Sequence, residues 1–233
     1  MKKEITGGIY LVLDPSIHRT ELLEKLEQAL KGGVGIVQIW NHWPESFSQS
    51  NKKRLIEEIL NLTKMYSAPV LINDDWKLLK ETELDGVHFD EIPEDFDRIR
   101  DDIQREFISG ITCSNDLEVI QWADVHDFDY ISFCSMFPSN SVDSCEIVRP
   151  ETVKKSRRIT DLPLFVSGGI TPGNLSDLEG LDFQGVAVIS GILSSDSPRE
   201  SVYQYKQKLK NRSSFEGGRN DNVVQGDDSP DVE

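Results

Sequence analysis

Two glycine-bearing segments carry the residue types whose spacing could do chemistry. In LFVSGGITPGNL (164–175) the apolar run Leu164-Phe165-Val166 breaks into Gly168-Gly169 and then into Thr171-Pro172-Gly173-Asn174, which reads as the start of a helix. Glycine accepts positive φ and lets another group approach its backbone N–H closely, so a strand ending in two glycines suits a phosphate. A tight strand-to-helix turn with no ligand uses the same residues. The second segment, GVAVISGI (185–192), ends in Ser190-Gly191-Ile192 and offers a hydroxyl beside a glycine. If the fold sets these two ends side by side, they form a cup of N–H and O–H donors for a phosphate. Other chemistry-bearing residues have plain structural readings as well. His88 in GVHF reads as a strand histidine satisfied by its neighbours, and Trp40 and Trp43 either stack a planar heterocycle or pack. One of Asp74 and Asp75 fits a helix N-cap, and Cys113 and Cys134 read as small buried hydrophobes.

The elements that would position such a cup alternate along the chain. GIYLVLD (8–14) leads to ELLEKLEQAL, where Leu22, Leu26, Ala29 and Leu30 share a helical face; IVQIW (36–40) leads to NKKRLIEEILNLTKMY, with Leu55, Ile59 and Leu62 aligned. Six further strand-like runs follow at PVLIND (69–74), GVHF (86–89), FISGITC (107–113), YISFCSM (130–136), PLFVSGGI (163–170) and GVAVISGI (185–192), each with helix-like sequence after it. Eight βα units of this kind predict an α/β fold, a single (β/α)8 TIM barrel over residues 1–212, with a doubly wound open sheet as the alternative. Residues 213–233, SSFEGGRNDNVVQGDDSPDVE, are polar, acidic and aperiodic, and predict a disordered tail. In such barrels the active site lies at the C-terminal strand ends, and phosphates favour the loops after strands seven and eight, where both glycine segments fall.

Bulk composition removes whole classes of partner. A formal charge of −16 and a pI near 4.7 argue against nucleic acid and anionic membranes as partners, because both are polyanions. Three cysteines without CxxC spacing suggest neither a disulfide framework nor a zinc site. The opening MKKEITGGIYLVLD has too short an apolar run for a signal peptide or a membrane span, so the chain reads as cytoplasmic. A homo-oligomer is compatible with all of this.

Taken in order, YLVLD, ALKGGVGIVQI, VLINDDWKLL, DGVHF, GITCSN, YISFCSMFPSN, LPLFVSGGITPGNL and GVAVISGILSS resemble the thiamine phosphate synthase and TenI (thiazole tautomerase) superfamily over residues 8 to about 210. The resemblance implies a barrel that holds a thiazole phosphate under the last two glycine loops, with Gly168, Gly169, Ile189 and Ser190 as the matching positions. It also implies a second substrate, a hydroxymethylpyrimidine pyrophosphate, held by Gln, Arg and Lys after strand two, an Asn-Asp pair after strand three, an Asp after strand four and a Lys after strand six. Here the first set reads Gln38-Ile39-Trp40-Asn41-His42, so both cations are replaced, and the last lysine falls on Val142 within Pro138-Ser139-Asn140-Ser141-Val142. Asn73 and Asp74 match, while the second metal carboxylate falls near Pro93, with Asp90, Glu91 and Glu94 as stand-ins. Mg²⁺ is the implied cofactor, weakened or moved, on Asp74 and Asp90. The histidine that the tautomerases place after strand five is Ser114, within Thr112-Cys113-Ser114, which leaves His42 as the candidate acid or base.

The expected ligand-binding set is therefore Gln38, Trp40, Asn73, Thr112, Ser139, Ser141, Gly168, Gly169, Ile189 and Ser190. Two functional readings stand side by side: a thiamine-biosynthesis enzyme acting on thiazole phosphate, and a catalytically silent barrel binding a phosphate ligand for regulation or salvage. A pentulose-phosphate epimerase or an indole-glycerol phosphate synthase would need metal-binding histidines or lysines at several strand ends, and the sequence supplies neither.

Overall fold

The structure is a computed structural model that describes residues 2–138 and 146–216. The expected Ser139, Ser141 and Val142 lie outside the described residues, as do 217–233 of the acidic tail. Eight parallel strands close into a barrel in sequence order, β1 (Gly8–Leu13), β2 (Ile36–Ile39), β3 (Val70–Asn73), β4 (Gly86–Phe89), β5 (Ile108–Thr112), β6 (Tyr130–Phe133), β7 (Leu164–Ser167) and β8 (Gly185–Val188), which settles the choice against an open sheet. The helices are α1 (Arg19–Gly32), α2 (Gln49–Lys64), α3 (Phe96–Ile103), α4 (Leu117–Val125), α5 (Pro150–Ser156), α6 (Ser190–Leu193) and α7 (Pro198–Glu216). The last of these carries helix through Glu216, four residues into the segment expected to be tail. Removing 217–233 is expected to leave the melting temperature within about one degree, since a polar, acidic segment offers little apolar surface to bury. A drop of several degrees in a melting curve would show that it docks on the barrel.

Two connections differ from the expected helices. After β3 and after β7 the chain forms short 3₁₀ turns, Trp76–Lys80 and Leu175–Leu178. At the second, the Asn174 carboxamide oxygen accepts the Thr171 N–H at 2.8 Å, and the Thr171 hydroxyl oxygen accepts the Asn174 N–H at 3.3 Å. Such local side-chain bonds to backbone compete with helix, so this stretch closes a turn instead.

The barrel interior and the helix-facing layer form separate cores. Outward residues such as Val37, Ile72, Val87 and Ile131 pack on the helices, while Tyr10, Ile36, Leu71, Ile108, Tyr130 and Phe165 fill the inside. Ile5 plugs the N-terminal end, where Lys2 and Lys3 pair with Asp129 at 2.7 Å and Asp85 at 3.1 Å. Gly110 makes room for the inner layer, because a Cβ there would stand 2.0 Å from the Tyr130 ring. One step nearer the C-terminal end the inward positions become polar, with Gln38, Asn73, His88 and Ser132 all buried. These residues are the floor of the site.

Candidate functional site at the C-terminal mouth of the barrel

A cavity of about 770 Å³ opens above that polar floor. One wall is the pair of glycine loops: Gly168, Gly169, Ile189, Ser190 and Gly191 all line it. Gly168 and Gly169 take φ of +82° and +63°, the left-handed conformations that a glycine pair at this strand end allows. A Cβ on Gly168 would sit 1.8 Å from the Ser135 hydroxyl, and one on Gly169 would sit 2.5 Å from the Pro138 carbonyl oxygen. Both glycines are thus required by the loop itself, and substituting either would disturb the loop together with any ligand. Ser190 begins the four-residue α6, which leaves the wall lined by loop backbone and one hydroxyl.

The floor is a hydrogen-bonded chain across the barrel. The Tyr10 hydroxyl donates to Gln38 Oε1 at 2.5 Å and lies 2.8 Å from the Tyr130 hydroxyl. His88 Nδ1 lies 2.9 Å from the Tyr130 hydroxyl, and His88 Nε2 lies 2.9 Å from Thr112 Oγ1. Burial pushes the His88 imidazole down to about 4, against a smaller opposing pull from Asp74, so the ring is neutral at pH 7. Burial likewise holds both tyrosine hydroxyls well above their ordinary range. Asn73 completes the floor, accepting the Asn41 N–H at 3.3 Å and donating to the His88 carbonyl at 3.4 Å.

The remaining wall is acidic. Asp90, Glu91 and Glu146 line the cavity, and no lysine or arginine does so among the described residues. Asp74, with φ of +55°, accepts the Asp90 N–H on Oδ1 at 2.9 Å. Burial, then the Asp90 carboxylate beside it, holds Asp74 above the usual carboxylate range, partly offset by that N–H. Asp75 occupies the N-cap position of the following 3₁₀ turn without a side-chain cap bond. Asp74 and Asp90 also border an adjoining pocket together with Lys77 and Arg98.

Residues 9–192 match the family described as thiamine monophosphate synthase. The chain belongs to that family. The thiamine-phosphate synthase of Clostridium perfringens (strain SM101 / Type A) is 33% identical over 199 residues, covering 84% of this chain and 93% of the relative. That of Hydrogenobaculum sp. (strain Y04AAS1) is 30% identical over 216 residues, covering 90% and 97%. Among solved structures, the thiamine phosphate pyrophosphorylase from Pyrococcus furiosus superposes with a TM-score of 0.73 at 20% identity, covering 88% of this chain and 96% of that one.

In this thiamine monophosphate synthase family member the cavity gathers Gln38, Trp40, Asn73, Thr112, Asp90 and the glycine-loop residues. His42 stands apart. It does not line the cavity; its side chain is 57% exposed, its ring lies 4.6 Å from that of Trp40, and its Nδ1 lies 3.2 Å from Asp14 Oδ1. Trp43 packs on Phe47 with the Lys52 ammonium over its ring, a structural role, whereas Trp40 faces the cavity. Cys113 is buried as expected; Cys134 is half-buried and lines the cavity beside Ser114. Cavity-lining positions that sequence reading passed over include Tyr10, Ser132 and Glu146.

Among the described residues no helix is long and apolar enough to cross a membrane.

Proposed function

We propose that this protein serves thiamine biosynthesis by binding a thiazole phosphate, or thiamine phosphate, with the phosphate in the cup of Gly168, Gly169, Ile189 and Ser190. The observation that carries the reading is the asymmetry of the cavity: a glycine-loop wall on one side, and on the other Asp90, Glu91 and Glu146 with no lining cation among the described residues. A single phosphate needs only N–H and hydroxyl donors, whereas a pyrophosphate against that acidic wall meets like charge. The same asymmetry favours a non-coupling role, a barrel that holds a phosphorylated ligand for regulation or salvage, over an efficient synthase.

Asp74 and Asp90 are the residues that would hold Mg²⁺. Two adjacent carboxylates, one of them kept above its normal range partly by the other, suit a divalent cation completed by substrate phosphates and water. Bound there, Mg²⁺ would supply charge neutralisation for a pyrophosphate. Among the described residues no three His, Cys, Asp or Glu side chains gather into a metal cluster.

The test is thermal shift with thiazole phosphate, thiamine phosphate and inorganic phosphate. At a hundredfold excess over Kd a ligand adds about 2.7 kcal/mol, several degrees for a chain of this size. Ser190→Glu is expected to abolish most of that shift by placing a carboxylate in the cup. The unliganded melting temperature should move little, because Ser190 is exposed and an acid suits the first turn of a helix. A full shift in the variant would place the phosphate elsewhere.

A further inference from the structure

With Gln38 Oε1 turned toward Tyr10, the four bonds of the floor set where their protons sit. Tyr10 has one hydroxyl proton and gives it to Gln38 Oε1, so its oxygen must accept from Tyr130. Tyr130 has then spent its own proton on Tyr10 and must accept from His88 Nδ1–H. A neutral imidazole protonated on Nδ1 has a lone pair on Nε2, which takes the Thr112 hydroxyl proton. Every step is at hydrogen-bond distance, and Tyr10 and Tyr130 are 1% and 0% exposed.

We infer that Tyr10 and Tyr130 are positioning residues that lock His88 in the Nδ1–H tautomer and thereby fix the hydrogen-bonding polarity of both ends of the cavity floor. On β2, Gln38 has its oxygen engaged by Tyr10 and presents its NH₂, a donor. On β5, Thr112 has its proton engaged by His88 and presents oxygen lone pairs, an acceptor. Both residues line the cavity. A ligand on this floor is therefore read for an acceptor toward β2 and a donor toward β5. The opposite polarity, with Gln38 turned and every proton reversed, is equally self-consistent but would reject the same ligand, because it faces donor with donor and acceptor with acceptor. The two buried tyrosines become determinants of specificity through that lock.

The decisive variant is Tyr10→Phe. Without the Tyr10 oxygen, the Tyr130 proton loses its acceptor and can be satisfied only by His88 Nδ1, which requires the proton to move to Nε2 and the Thr112 hydroxyl to turn toward the cavity. Long-range ¹H–¹⁵N correlation spectra of the ¹⁵N-labelled full chain at neutral pH read the tautomer directly, with His88→Gln identifying the His88 signals among the four histidines. The expected result is Nδ1–H in the natural protein and Nε2–H in Tyr10→Phe. Inorganic phosphate titrated into the natural protein tests the cup separately. Should it not bind, the cup reading fails while the tautomer result stands on its own. If Tyr10→Phe does not fold, Tyr130→Phe supplies the second reading: with neither ring nitrogen held by a tyrosine, His88 should pass to Nε2–H or to a mixture of both forms. An Nε2–H tautomer or a mixture in the natural protein, or an unchanged Nδ1–H tautomer in the folded variant, overturns the inference.

Discussion

Between pH 7 and pH 4 the protein is expected to lose about 3 kcal/mol of stability through His88 alone. The sign follows from proton counting. Burial holds the folded imidazole down at about 4, whereas an unfolded histidine titrates near its ordinary value of 6.5. Between those values the unfolded chain binds a proton that the folded one refuses, so falling pH favours unfolding. The contribution is fully present above about pH 6.5 and declines through the window down to about pH 4. Asp74 acts in the opposite sense, since its carboxyl is held above the usual range by burial and by Asp90, and the folded chain keeps a proton that the unfolded chain releases. That gain opposes the His88 loss and flattens the curve toward the acid end. Urea unfolding at pH 7, 6 and 5 in chelator-treated buffer measures the slope, with His88→Gln as the reference. A natural protein as flat as His88→Gln across this window would mean that the ring already carries a proton in the fold, and the floor would then have to be rebuilt around an imidazolium.

How much of this molecule can be read from its sequence depends on which side of a strand is asked about. Eight apolar runs followed by amphipathic patterns point to the barrel because helix-facing residues such as Ile9, Val37, Ile72 and Val87 need no partner to be recognised as buried. The glycine loops are legible for a similar reason, since positive φ at Gly168 and Gly169 is a backbone demand that few other residues meet. The floor is not legible. A barrel strand is buried on both faces, so the period-two alternation that marks a half-exposed strand is lost, and Tyr10 and Tyr130 pass for apolar filling when they are links in a polar chain. His88 shows the limit well: its sequence context predicts a satisfied strand histidine, which is what the bonds to Tyr130 and Thr112 make it, yet nothing in GVHF says which partners satisfy it. His42 errs the other way. As the only histidine near the second strand end it is the natural candidate for acid or base, but its loop turns it outward to Asp14 and leaves Trp40 as the cavity-facing residue.

Placing cations at the end of the second strand is expected to have the largest effect on ligand choice. The unmodified protein should couple hydroxymethylpyrimidine pyrophosphate poorly, since the strand-two positions where the family resemblance places Arg and Lys are Trp40 and His42, and the cavity wall opposite the glycine loops is acidic. A charge-assisted contact to a phosphate is worth about 1.5 to 3 kcal/mol, roughly tenfold to 150-fold in affinity. Trp40→Arg places a guanidinium where an indole now lines the cavity and should fall within that range. His42→Lys should contribute less, because position 42 is more than half exposed and Asp14 would compete for the new ammonium. Both gains are Coulombic, so they should grow as salt is lowered from physiological to about 0.01 M, where the Debye length roughly triples or more. Isothermal titration of the pyrimidine pyrophosphate into Trp40→Arg and into the double variant, with and without Mg²⁺, measures the effect. The salt dependence separates a new charge contact from a mere change of shape. Robust coupling by the unmodified protein at micromolar pyrimidine pyrophosphate would refute the electrostatic account. In that event Lys77, which borders the adjoining pocket with Asp74 and Asp90, or Arg149, which pairs with the cavity-lining Glu146 at 3.2 Å, would be the cation that reaches across, and Lys77→Ala or Arg149→Ala should then remove the activity.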